Sequence, residues 1–240
     1  MNAPIDQSKI ALVAGGGGLV GGHLIQALLR APEYSRVIAL SRRPLPIEHG
    51  KVANRIINFV TLEKTLAGTK ADDAFCALGT TIRKAGSEDE FRLVDYDYVL
   101  SFARAAAQAG ARRLVVVSSV GANRNSKNLY LRVKGEIEDQ LRSLNLPATD
   151  ILQPGLLFGM RPEIRPLEIA GQAAMTIGNL LLHGEAAKYR AISAETVGRA
   201  MLGAARTGRK SFTRYTHVDL QRLAKWEKPA YKPLEPKPAQ

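Results

Sequence analysis

The chain contains a single cysteine, Cys76, so an intrachain disulfide is excluded. Cys76 lies within the apolar run Asp73 to Leu78. That setting suits a reduced, buried thiol and an expected cytoplasmic location. Aromatic residues make up 6% of the chain; neither an aromatic RNA-binding signature nor zinc-finger spacing is present, and no nucleic-acid partner is expected. No stretch reaches the roughly 20 uninterrupted apolar residues of a membrane span. The richest segment, 167–182, is broken by Glu168, Gln172 and Asn179. The amino-terminal residues lack the basic start and long apolar core of a signal peptide. Histidines are few. His23 reads as packing or surface, and His183 and His217 have no metal-ligand spacing, so no metal site is expected. Acidic residues are in deficit, giving a net charge of +12. The basic surplus is greatest after Ala186 but forms no dense run, so it reads as a solvated basic surface.

What is present is an alternation of strand and helix patterns. At 240 residues with 45% hydrophobic residues, the chain can bury one large core. Short apolar runs predict strands at Lys9–Ala14, Arg36–Ser41, Arg55–Val60, Asp73–Leu78, Arg113–Ser118 and Thr149–Leu152. Helical spacing predicts helices over Gly21–Arg30, Glu88–Gly110 and Leu129–Leu144, with Gly110 as a carboxy-terminal stop. Further helices are expected at Leu167–Leu182 and Glu195–Ala205. The fold class that follows is α/β: a Rossmann-type, doubly wound parallel sheet with helices on both faces. Residues 1–225 form one expected domain, with about 156–190 contributing a small substrate or lid region. Residues 226–240 form a Pro- and Lys-rich tail.

Three motifs carry chemistry. The first, AGGGGLVGG, follows a strand and opens a helix. Gly16, Gly18 and Gly21 satisfy GxGxxG, and Gly15, Gly18 and Gly21 satisfy GxxGxxG. Either spacing gives a tight turn, close backbone approach to a pyrophosphate and an anion site at a helix start. Gly15, Gly16, Gly18, Leu19, Val20 and Gly21 are therefore expected cofactor contacts. The second motif is Ser41-Arg42-Arg43 at the end of the second strand, where NAD sites usually place an acid. Arginine there can pair with a 2′-phosphate and stack on adenine, so NADP(H) is expected ahead of NAD(H). The third is Ser118-Ser119 after the fifth strand, followed by Tyr130 and Lys134 on one face of the next helix. A lysine cation favours the phenolate of a neighbouring tyrosine. Tyr130 could then exchange a proton with a carbonyl oxygen that a serine holds.

Together the glycine loop, Ser119, Tyr130 and Lys134 resemble the short-chain dehydrogenase/reductase superfamily. The segments FCALGTTIRKAG, RLVDYDYVL, VVVSSVGAN, YLRVKGEIE and LQPGLLFG resemble its atypical Tat-interacting-protein branch and that branch's bacterial oxidoreductase-like relatives. The resemblance covers residues 9–160 well and the remainder loosely. It implies Ser119, Tyr130 and Lys134 as catalytic residues and Leu78, Gly79, Thr80 and Thr81 as cofactor contacts after the fourth strand. Pro154, Gly155 and Leu156 would lie by the nicotinamide, and Lys134 would hold its ribose. The chain departs from the pattern at Thr61, read as standing where relatives carry an adenine-binding Asp. Leu78-Gly79-Thr80 likewise replaces the Asn-Ala-Gly of many ordinary members.

Three functions remain open on the sequence. The first is an NADP(H)-dependent oxidoreductase acting on a small carbonyl or alcohol. The second is an NADP(H)-sensing regulatory protein with vestigial catalysis and a protein partner. The third is a nucleotide-sugar epimerase or dehydratase, which Ser41-Arg42-Arg43 and the short region after Gly155 disfavour. A homodimer is compatible with each.

Overall fold

The structure is a computed structural model that describes residues 8–158 and 184–225. The expected helix at 167–182, His183 and the tail at 226–240 lie outside the described residues.

Strands with both faces buried read as continuous apolar runs, and helices with one apolar stripe must pack on them. The chain follows that logic. In order, the elements are β1 (Lys9–Ala14), α1 (Leu19–Arg30), β2 (Tyr34–Ser41), β3 (Val52–Ile56), a 3-10 turn (Phe59–Thr61) and α2 (Leu62–Thr65). Next come β4 (Asp73–Cys76), α3 (Ile82–Ala85), α4 (Glu88–Arg92), a π-helical turn (Leu93–Asp97) and α5 (Tyr98–Gln108). They are followed by β5 (Arg113–Val117), α6 (Leu129–Ser143), β6 (Ala148–Leu152) and β7 (Leu157–Phe158). After a 3-10 segment (Gly184–Tyr189) come β8 (Ile192–Ser193), α7 (Ala194–Arg206), β9 (Phe212–Tyr215) and α8 (His217–Ala224).

Seven strands form one parallel sheet in the order β3-β2-β1-β4-β5-β6-β9. Strand order reverses direction between β1 and β4. At such a switch point the two flanking connections leave on opposite faces and open a crevice at the carboxyl ends. Alternate residues of each strand feed two cores. Ala11 and Val13 of β1 face the layer of α1, α7 and α8, with Leu24, Leu28, Val197 and Met201. Leu12 and Ala14 face the other layer, with Phe102 of α5 and Ile137 of α6.

Two expected elements move. The run Arg55 to Val60 is not a strand throughout. Pairing with β2 spans Val52–Ile56, and the chain then turns through Phe59–Thr61, with the Asn58 side chain accepting from the Val60 N–H at 2.9 Å. The apolar residues Ile57 and Phe59 are buried without being in the sheet. The long helix expected over Glu88–Gly110 is divided by the π turn, and Gly110 ends it with φ +83°.

Candidate functional site

The crevice is lined at one end by the β1–α1 turn. Gly15 adopts φ +85°, and a Cβ there would lie 2.5 Å from the Ala77 carbonyl, so the turn and the end of β4 meet backbone to backbone. The Gly18 N–H donates to the Gly15 carbonyl at 2.9 Å. A Cβ on Gly21 would stand 2.1 Å from that same oxygen. Gly18 is the N-cap of α1 and offers no side chain, and the first turn carries no acid. Its amide N–H groups and the positive end of the helix dipole are thus left for an anion. Gly17, not singled out from sequence, lines the groove with Gly15 and Gly18. Gly16 and Val20 are buried, and Leu19 is half-buried. Val20 packs in the core, so its backbone is the part suited to ligand contact.

The second wall is the loop after β2. The Ser41 hydroxyl donates to the Arg43 carbonyl and accepts from Asn54 Nδ2, each at 2.7 Å. Asn54 also donates to the Ala39 carbonyl at 3.0 Å, and its Oδ1 accepts from the Leu45 N–H at 2.9 Å. The Ser41 hydroxyl is therefore engaged in shaping the loop that presents Arg42 and Arg43. Both arginines are exposed and line the groove, and neither makes an ion pair among the described residues. Below them Phe59 stacks on Tyr98, with centroids 5.2 Å apart and planes at 24°. Both rings line the groove beside Leu40 and Leu45. Sequence reasoning missed this apolar platform because Phe59 was read as part of a strand. Thr61 ends the 3-10 turn and lies outside the groove lining, whereas Asn58 directly precedes Phe59 after β3. Of this connection, Phe59 is the residue that lines the groove.

Ala77, Leu78, Gly79 and Thr80 close the far wall, and the groove encloses about 590 Å³. Thr81 lies outside this lining; its hydroxyl caps α3 by accepting from the Lys84 N–H at 3.2 Å. Beneath Gly79 sits a buried ion pair that the sequence did not disclose. Lys134 Nζ lies 2.7 Å from Asp95 Oδ1, with 4% and 0% of the two residues exposed. The other Asp95 oxygen accepts from the Thr80 N–H at 2.8 Å. A Cβ on Gly79 would lie 3.8 Å from Lys134 Nζ, so the cation lies just under the groove. Burial alone would push Lys134 down, but Asp95, with smaller help from Tyr130 and Cys76, raises it above the ordinary lysine value. Burial pushes the nearby Cys76 thiol up to about 12, despite the opposing Leu78 backbone and Lys134, so the thiol stays protonated and inert.

Tyr130 is half-buried one helical turn before Lys134, with its ring 5.6 Å from that of Phe91. The two serines after β5 differ. Ser118 is buried and donates to Glu138 Oε1 at 2.6 Å. Ser119 is half-buried, and among the described residues its hydroxyl makes only a long contact of 3.4 Å to the Val120 carbonyl. Neither Ser119 nor Tyr130 is in the groove lining; Lys134 approaches it beneath Gly79. Glu138 also accepts from Gln153 at 2.9 Å and from Arg214 Nε at 2.6 Å, tying together the ends of β5, β6 and β9. Beside this cluster a second cavity of about 520 Å³ is lined by Val120 to Arg124, Gln153, Lys188, Arg214 and others. Pro154, Gly155 and Leu156 line neither cavity. The Pro154 carbonyl accepts from the Val120 N–H at 3.0 Å, while Gly155 and Leu156 dock residues 189–192: a Cβ on Gly155 would meet the Arg190 carbonyl at 2.4 Å, and the Leu156 carbonyl accepts from the Ile192 N–H.

A glycine turn, an exposed basic loop, a stacked aromatic floor and a crevice at the switch point define a dinucleotide-binding Rossmann domain. Comparison with known proteins agrees. A family described as NAD(P)H-binding matches residues 15–208. The mitochondrial protein fmp52 of Aspergillus clavatus is 37% identical over 170 residues, covering 68% of this chain and 72% of the relative. Rat HTATIP2 is 36% identical over 166 residues, covering 68% of each chain. Among solved structures, MoeE5 in complex with UDP-glucose and NAD superposes with a TM-score of 0.63 at 19% identity, covering 86% of this chain and 75% of MoeE5. The chain belongs to the NAD(P)H-binding family, within the atypical short-chain dehydrogenase/reductases that include Fmp52 and HTATIP2. The cytoplasmic expectation is overturned by these relatives: the Fmp52 proteins of A. clavatus, Scheffersomyces stipitis and Candida albicans are all named mitochondrial. A buried thiol reports burial, not compartment. Among the described residues, no helix is long and apolar enough to cross a membrane.

Proposed function

We propose that the chain is an NADP(H)-dependent oxidoreductase that interconverts a small carbonyl compound and its alcohol. The observation that carries this reading is a pairing within one groove. A buried lysine lies just under the groove at Gly79, with Tyr130 one turn before it, and Arg42 and Arg43, without ion pairs among the described residues, line the same groove. A nicotinamide supplies or accepts the hydride when it is bound. The chain's own residues then handle the proton and the oxygen. The Tyr130 hydroxyl donates to a carbonyl oxygen in reduction and receives the proton in oxidation. The Ser119 hydroxyl, free of the Glu138 network that engages Ser118, orients that oxygen. Lys134 holds ribose hydroxyls and supplies the positive charge near Tyr130. Arg42 and Arg43 recognise a 2′-phosphate, and Phe59 and Tyr98 provide the surface for the adenine.

The phosphate preference is tested by the Arg42→Ala/Arg43→Ala double variant. A charge-assisted hydrogen bond contributes about 1.5–3 kcal/mol, or roughly tenfold and upward in affinity. NADPH affinity should fall by at least that factor while NADH affinity barely moves. An equal loss for both cofactors would mean that the arginines do not read the phosphate.

A regulatory reading has one observation in its favour: Lys134 is already held by Asp95. On that reading NADP(H) is sensed and no carbonyl is turned over. MoeE5 was solved with a nucleotide sugar and NAD, but an unpaired arginine pair where NAD sites place an acid favours NADP(H) here.

A further inference from the structure

Asp95 is buried and has no part in the proposed proton or hydride transfer. It sits on the π turn Leu93–Asp97. Such single turns widen a helix by one residue and re-aim a side chain, and they recur at functional sites. Here the turn directs Asp95 beneath Gly79, with one oxygen on Lys134 and the other on the Thr80 N–H. One carboxylate oxygen is thus ion-paired with the buried cation, and the other accepts from the loop that walls the groove.

We infer that Asp95 is the positioning residue that keeps Lys134 protonated in its buried place and ties that charge to the groove loop. The inference rests on the proposed cofactor role of Lys134 for its consequence, but not for its test. The physical case is a balance. A lysine ammonium removed from water loses its hydration and tends to release its proton. An opposite charge at contact distance reverses that tendency. Among the described residues, the titratable groups around Lys134 are Asp95 on the π turn, Cys76 on β4 and Tyr130 on α6. Burial holds the Cys76 thiol protonated, and Asp95 is the one carboxyl group among them, at ion-pair distance from Lys134. Glu138, one turn further along α6, is occupied by Ser118, Gln153 and Arg214.

The sign of the effect separates this role from simple packing. In the wild type Lys134 is raised, so its contribution to stability is fully present below the ordinary lysine value. That contribution is lost only above that value, as the folded group titrates. In Asp95→Asn the Thr80 N–H keeps an acceptor, but burial acts on Lys134 unopposed. The folded lysine then titrates below the unfolded one, and stability rises with pH across that interval.

The test is thermal unfolding of the full chain from about pH 7 to about pH 10, for wild type, Asp95→Asn, Asp95→Glu and Asp95→Asn/Lys134→Met. The melting temperature of Asp95→Asn should start low and climb with pH relative to wild type. Asp95→Glu should follow the wild-type course, and the climb should vanish in the double variant. If Asp95→Asn does not fold near neutral pH, recovery at alkaline pH or on adding Lys134→Met gives the same answer. A constant offset from wild type at every pH, a climb that survives Lys134→Met, or no recovery by either route overturns the inference. In parallel, NADPH affinity of Asp95→Asn should fall by about tenfold or more between neutral and alkaline pH while that of the wild type holds. A wild type that binds no NADPH refutes the cofactor proposal and leaves the unfolding result to decide the role of Asp95.

Discussion

Tyr130→Phe should lower turnover of a carbonyl substrate by roughly 10²–10⁴-fold, the usual scale for a positioned acid or base, and leave NADPH affinity nearly unchanged. The substitution removes one oxygen. The ring keeps its contact with Phe91, and Lys134 keeps Asp95. The glycine turn lies at the other side of the groove and is untouched. Loss of rate with binding intact isolates an interaction made in the transition state. Steady-state NADPH consumption with a panel of small carbonyl compounds, alongside a binding titration, reads both quantities. An active wild type whose Tyr130→Phe variant keeps its full rate would remove Tyr130 from the chemistry. A wild type that binds NADPH and reduces nothing favours the sensing role.

Gly21→Ala should weaken NADPH binding by about a hundredfold, close to ~2.7 kcal/mol at about 1.4 kcal/mol per decade. The new methyl would lie 2.1 Å from the Gly15 oxygen and 2.9 Å from the Gly16 Cα. Both neighbours are backbone, so no rotamer change relieves the clash, and overpacking of this kind costs about 1–3 kcal/mol or more. The turn must open, and the start of α1 must withdraw from the groove. Gly22→Ala is the matched control: its Cβ would meet the Gly16 carbonyl at 3.8 Å, an ordinary contact. Calorimetric titration of both variants checks the contrast. Equal affinities would show that the close approach of Gly21 to Gly15 is not what seats the cofactor.

The sheet was legible because its central strands are buried on both faces. After the leading Lys9 and Arg113, Ile10–Ala14 and Leu114–Val117 are unbroken apolar runs, and each lies in a strand as the run predicts. The edge strand β3 was misplaced for the opposite reason. Val52–Ile56 is only partly covered and carries Asn54 and Arg55, whereas the more apolar residues after it are buried in a turn. The common position of the glycine turn and Arg42-Arg43 in one groove could be expected because they follow the adjacent strands β1 and β2. Asp95 and Glu138 could not be read as partners, since their ligands lie on other elements. A signal was nevertheless present. Asp95 falls four residues after Phe91 and four before Val99, on a buried helical stripe. Glu138 falls four after Lys134 and three before Leu141 on another. An acid within an apolar stripe needs a partner inside the fold. Asn54 gave no such signal: its two bonds to the end of β2 and its one bond to the following loop depend on the β2–β3 register.

A crystal structure of the chain grown with NADPH would show whether one groove holds the cofactor with its phosphate end at Arg42 and Arg43 and its reactive end over Lys134. The pyrophosphate should lie over the amides that open α1, the 2′-phosphate between Arg42 and Arg43, and the nicotinamide ribose within hydrogen-bond reach of Lys134. Density for the cofactor in the second cavity beside Arg214, or a 2′-phosphate pointing away from both arginines, would contradict that placement.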